Sequence, residues 1–190
     1  MLIGLNLSRG FTLYLMSNLK LITMLNKKVE KVLVEQIEKE GYSSNLYLAM
    51  ASWAETKGLA GIAQWLFAQA EEERMHMLKF VDYVNERGGR AIIPGFDKPP
   101  TDFESVQSVF EKVYEHEQYV SKCINDIVGV CLEEKDFTTH NWIQWFVQEQ
   151  IEEEASAQAL LDKLKLAGAG SLYLFDRDIM SMRGEASATE

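Results

Sequence analysis

Four long stretches of this chain repeat apolar residues at helical spacing, and each repeat is interrupted near its middle by a carboxylate. In the first stretch, residues 26–57, the inner positions are Val29, Leu33, Gln36, Glu40, Ser44, Tyr47, Ala51 and Ala54. In the second, 59–87, they are Ile62, Leu66, Gln69, Glu73, His76, Phe80 and Tyr83. The third, starting at Asp102 or Phe103 and running to Glu134, gives Val106, Phe110, Val113, Glu117, Val120, Ile124, Ile127 and Cys131. The fourth, 137–166, gives Trp142, Phe146, Gln150, Glu153, Ala157, Leu160 and Leu164. Steps of three and four residues sustained over such lengths specify amphipathic helices with one buried face.

The connections set the topology. Short links between the first and second helices, and between the third and fourth, make each pair antiparallel. Between the pairs, Gly88, Gly89, Pro94, Gly95, Pro99 and Pro100 exclude regular structure and leave a connection long enough to cross the bundle from end to end. The fold class is all-α, a four-helix bundle with one long crossover loop. Gly168 and Gly170 close the fourth helix, and the apolar run from Ser171 to Met182 predicts a short fifth helix buried against a neighbouring element or another subunit. The domain spans residues 24–183, and the polar residues 184–190 read as a disordered tail.

In such a bundle the midpoints of the helices lie level, whichever way each helix runs. Glu40, Glu73, Glu117 and Glu153 therefore converge on one plane, and no Lys or Arg occupies any inner stripe to neutralise them. Four unpaired carboxylates in an apolar interior require cations, and two ferrous ions would supply four positive charges. A carboxylate-rich site with one imidazole suits iron or manganese, with zinc as a competitor. Glu73 and His76 form a Glu-x-x-His turn, with Glu73 central enough to bridge two ions, whereas Gln150 and Glu153 stand where a second such turn would be. This asymmetry favours iron in transit over a permanently held pair.

Composition narrows the partners. The 29 acidic against 19 basic residues give a formal charge of −10, which disfavours nucleic acid and anionic membranes and favours cations. Cys123 and Cys131 are about 12 Å apart along one helix, beyond disulfide reach, and read as small apolar residues in a reducing, cytoplasmic setting. Residues 1–23 are apolar but broken by Asn6, Ser8, Gly10, Thr12, Ser17 and Asn18, and make neither a good signal peptide nor a membrane span. They are either an extension outside the core or a misassigned start preceding Met24.

With these motifs in view, residues 24–182 resemble the bacterial non-haem ferritins. The resemblance rests on Glu40-Gly-Tyr-Ser-Ser with Tyr47, Glu72-Glu73-Arg-Met-His76, Glu117, and Trp145-Phe-Val-Gln-Glu149-Gln150-Ile-Glu152-Glu153. It implies a ferritin-like fold and a ferroxidase oxidising Fe(II) with dioxygen or peroxide. It also implies a homo-oligomeric shell of 24 subunits storing ferric mineral. By the same resemblance Glu40, Glu73 and His76 hold the first iron, and Glu73, Glu117 and Glu153 hold the second with Gln150 beside it. Glu72, Glu149 and Glu152 hold a third, weaker one. Tyr47 is then the tyrosine beside the centre and Trp145 a nearby redox-active aromatic. Haem is not expected, because Arg74 occupies the position of the haem-ligating methionine of bacterioferritins, and Met75 and Met77 do not replace it.

Other readings stand beside these. Tyr47 and Trp145 could simply fill space, His116 and His140 fall off the inner stripes and are expected to face solvent, and Glu133, Glu134 and Asp136 read as a polar turn or as the lining of an iron channel. For the whole chain, the alternatives are a di-iron oxidase or peroxidase without mineral storage, and a structural helical module that binds no metal.

Overall fold

The computed structural model describes residues 25–167 and 171–183. The expectations for residues 1–23, for Gly168 and Gly170, and for the tail 184–190 lie outside these. Four long helices form the body: α1 Lys27–Thr56, α2 Ala60–Glu86, α3 Val106–Glu133 and α4 Phe137–Ala167. The two antiparallel pairs, α1 with α2 and α3 with α4, make the most extensive contacts, and α1 joins them by packing on α3. No described helix is long and apolar enough to cross a membrane.

Local chemistry sets the helix boundaries. Asn26 caps α1 by accepting from Lys28 N–H at 2.8 Å, and Gly58 ends it with φ of +75°, a conformation that glycine adopts without steric cost. Helix α3 starts three to four residues later than the periodicity predicts, because Asp102 and Phe103 are committed elsewhere. Asp102 accepts from Trp53 Nε1 at 3.0 Å and from Phe103 N at 2.9 Å. Phe103 packs edge-on against Trp53, and Ser105 and Ser108 form a reciprocal capping box that begins the helix. At the α3–α4 turn, Asp136 accepts from both the backbone N–H and the hydroxyl of Thr139, and Glu134 accepts from Asn26 and Lys28. The acids of this turn thus serve as cap and tether.

The interior is built in three layers. One apolar cluster includes Met50, Trp65, Leu66, Phe110 and Leu160; the other includes Leu33, Ile37, Phe80, Ile124 and Phe146. Between them lie the buried polar side chains Gln36, Glu40, Gln69, Glu73, His76, Glu117, Gln150 and Glu153. Of the first inner stripe, Ser44 is only half-buried, donating to the Ala70 carbonyl at 2.7 Å across the α1–α2 seam.

The fifth helix forms as Leu172–Asp178 (α5), followed by a 3-10 turn at Ile179–Met182. It packs within its own chain on α2 and α4, burying Phe175 and Ile179 in the first apolar cluster. Two glycines allow parts of the chain to approach the long helices closely. A Cβ at Gly61 would lie 1.8 Å from the Asp176 carbonyl oxygen, and one at Gly41 would lie 2.3 Å from the Phe96 ring of the crossover. Asp176 also accepts from Ile62 N–H at 2.9 Å, satisfying one of the free donors at the α2 N-terminus. Gly61→Val is therefore expected to undock α5 while the four-helix body persists, seen as faster amide exchange over residues 172–182 with exchange in α1 and α3 unchanged.

Candidate metal centre

The polar layer contains two clusters with ligand atoms in reach of a shared ion. In the first, Glu40 from α1 and Glu73 and His76 from one turn of α2 bring ligand atoms within 4.8 Å of one another, all three buried. The helical step of three residues places Glu73 and His76 on the same face, with His76 Nδ1 3.5 Å from Glu73 Oε2. In the second cluster, Glu153 turns outward to join the half-buried Glu72 and Glu149, again within 4.8 Å. Glu152 is exposed at the mouth of this cluster and accepts from Gln148 at 3.3 Å.

Glu117 faces the first cluster from α3, and its position is fixed by donors. The buried Tyr47 hydroxyl donates to one carboxylate oxygen, while Gln150 Nε2 donates to the other at 3.2 Å and to the Glu117 carbonyl at 3.3 Å. Two further residues have roles that the periodicity did not reveal. Gln36 donates to Glu40 at 2.8 Å and Gln69 to Glu153 at 3.1 Å, so each orients a carboxylate. Both stand one turn before an acid on its own helix or opposite one, a spacing that in hindsight marks them as supports. Trp145 is 41% exposed, with its ring edge-on to His76 at 5.5 Å and the Lys79 ammonium 3.5 Å from its ring centroid.

The donors leave the layer incompletely satisfied. Glu40 Oε2, Glu73 Oε2 and Gln36 Oε1 are buried without a hydrogen-bond partner. Orphaned carboxylate oxygens cost far more than neutral buried polar atoms, and a hard or borderline cation is the partner that would satisfy those of Glu40 and Glu73 together. Carboxylates, one imidazole and a side-chain amide form a donor set suited to iron.

Residues 30–167 match the family model of the ferritin-like domain. The chain belongs to the ferritin family. It is 45% identical to a bacterial non-haem ferritin of Campylobacter jejuni over 84% of this chain and 96% of that protein. It is also 40% identical to one of Bacteroides fragilis, over 82% and 98%. Among solved structures, the open-pore ferritin of the archaeon Archaeoglobus fulgidus superposes with a TM-score of 0.80 at 42% identity, covering 83% of this chain and 97% of that one. An iron-storage ferritin with a carboxylate cluster between its helices accounts for both fold and sequence.

Electrostatics shows what this ferritin's centre requires. Burial, followed by the charges of Glu117 and Glu40, holds the Glu73 carboxyl well above the usual carboxylate range. Burial does the same to Glu153, reinforced by Glu117 and Glu73. Glu117 is pushed up by burial to about 7 even with Tyr47 and Gln150 donating to it. The Tyr47 hydroxyl is raised by burial and then by the surrounding carboxylates, so it stays protonated as a donor. His116, expected to face solvent, is only partly open to it. It is half-buried between Tyr42 and Tyr119 with Nε2 2.7 Å from Ser43 Oγ, and burial lowers its pKa to about 4.

Raised folded pKa values mean that the metal-free folded state holds more protons than the unfolded chain between about pH 4.5 and 7. This contribution to stability is full below about pH 4.5 and is lost as pH rises through about 7. Metal-free protein is therefore expected to melt at a lower temperature at pH 8 than at pH 6, with zinc(II) narrowing the gap because bound metal replaces the protons. A wider gap in the presence of zinc would contradict this account. Glu73→Gln removes the cost of burying or protonating a carboxylate and should raise metal-free stability by about 1–3 kcal/mol in urea titrations, while weakening metal binding.

Proposed function

We propose that this ferritin oxidises Fe(II) to Fe(III) with dioxygen or peroxide at the buried centre and deposits the product as mineral inside a homo-oligomeric shell of 24 subunits. Iron is both substrate and cargo. Glu40, Glu73 and His76 bind the first ferrous ion. Glu73, Glu117 and Glu153 bind the second, with Gln150 beside it. Glu72, Glu149 and Glu152 form a third, weaker position. The observation that carries this reading is the layer of unpaired buried carboxylates, with Glu40 Oε2 and Glu73 Oε2 orphaned next to His76.

The chain's own groups have definite tasks. Glu73, Glu117 and Glu153 release protons as iron enters, since metal binds the carboxylate form. His76 supplies an imidazole nitrogen, and Gln36, Gln69 and Tyr47 keep three carboxylates oriented before iron arrives. Each ferrous ion gives up one electron to the oxidant. Tyr47 and Trp145 stand close enough to the centre to supply a further electron. Arg74 at the position of the haem methionine supports a haem-free protein.

Ferrous iron added in air to the purified protein is expected to oxidise rapidly and leave a soluble particle holding many irons per subunit. Glu73→Ala and His76→Ala should each slow the rapid phase at least about tenfold with the oligomer intact by gel filtration. Wild-type rates in either variant would refute the assignment, and turnover without accumulating mineral would identify a di-iron oxidase instead.

A further inference from the structure

The outer acidic cluster already holds a cation from the protein itself. Arg183 Nη2 lies 2.6 Å from Glu72 Oε2, with both side chains about one quarter exposed. The pair closes a cavity of about 40 Å³ whose lining also includes Trp65, Glu149, Glu152 and Glu153. Arg183 belongs to none of the four long helices. It follows the 3-10 turn at Ile179–Met182, and it is brought to α2 by the burial of Phe175 and Ile179 and by the bond from Ile62 N–H to Asp176. The docked C-terminal segment thus delivers one positive charge to Glu72, at a cavity that Glu149 and Glu152 also line.

Resting on the reading of this cluster as a third metal position, we propose that Arg183 is its displaceable counter-ion, the residue that sets how strongly an ion must bind to enter. A guanidinium does not lose its charge near neutral pH, so an ion that needs Glu72 has to compete with it. The competition is winnable. The contact is made by one nitrogen to one oxygen, without the two-pronged geometry that makes arginine–carboxylate pairs strong. It is also partly open to solvent, which weakens it further. Because the pair opposes entry by a fixed amount, it weakens every ion by the same factor, and only ions held strongly by the carboxylates still fill the site at low concentration. Entry of an ion also frees Arg183, so occupancy of the cluster and docking of the C-terminal segment are linked and reciprocal.

Terbium(III) titrated into iron-free, full-length protein provides the test, since Trp65 in the cavity wall can sensitise its luminescence. Arg183→Gln is expected to tighten terbium binding about tenfold, the scale of one charged contact. Arg183→Lys, which keeps the charge, should stay within about twofold of wild type. Glu72→Gln should weaken binding. Gly61→Val, which displaces α5 without changing any charge, should tighten it in the same direction as Arg183→Gln. In the wild type, terbium should also speed amide exchange at residues 179–183. If Arg183→Gln binds terbium no more tightly than wild type while Glu72→Gln still weakens binding, the role of Arg183 is overturned and the third metal position stands. Equal affinity in wild type and Glu72→Gln would overturn the metal position itself, and the role of Arg183 with it.

Discussion

Crowding of carboxylates in an interior where no described buried residue is lysine or arginine is the constraint from which the rest of this structure follows. Glu40, Glu73, Glu117 and Glu153 are each less than a tenth exposed and lie between two apolar clusters that contribute no positive charge. Protein groups alone satisfy the layer only in part. Gln36, Gln69, Gln150 and Tyr47 aim donors into it, and still two carboxylate oxygens remain without partners. Helix packing supplies the stability that allows such a layer to persist, and the layer in turn makes the bundle a receptor for cations. Fold and chemistry are opposed here, and on the proposed reading iron is what reconciles them.

The layer is also lopsided. On one side, two carboxylates and an imidazole lie within a single ion's reach, fully enclosed. On the other, Glu117 is held in hydrogen bonds, and Glu153 leans toward the half-exposed Glu72 and Glu149. The polar layer thus carries a gradient from a dry, enclosed group of ligand-type side chains to a wetter one rather than two equivalent halves. On the proposed reading, such a gradient lets oxidised iron leave toward the wetter side.

Much of this was legible in the amino-acid order. Repeats at three and four residues locate all four helices to within a few positions, and the interrupting acids name the polar layer, because a helix has one spacing and a bundle one interior. The late start of α3 was hidden, since it depends on Trp53 drawing Asp102 into a bond across many residues of chain. His116 was misplaced for a related reason: a residue off the inner stripe can still be covered by a neighbouring helix, here through Ser43 and the ring of Tyr42. Spacing also does not encode that Glu153 comes within a single ion's reach of Glu72 and Glu149. The pair of Arg183 with Glu72 joins residues 111 positions apart, which only the finished fold brings together.

The layered interior has a consequence for how such a chain can vary over evolutionary time. Sliding one long helix by a single turn, about 5.4 Å, would set a carboxylate among leucines and a leucine among carboxylates. The polar layer therefore acts as a pin that fixes the vertical alignment of all four helices. Insertions and deletions inside a helix on either side of that pin break the alignment, whereas the crossover at residues 87–105 can lengthen or shorten without disturbing it. Length variation in this architecture belongs in its connections, and the buried charge is what confines it there.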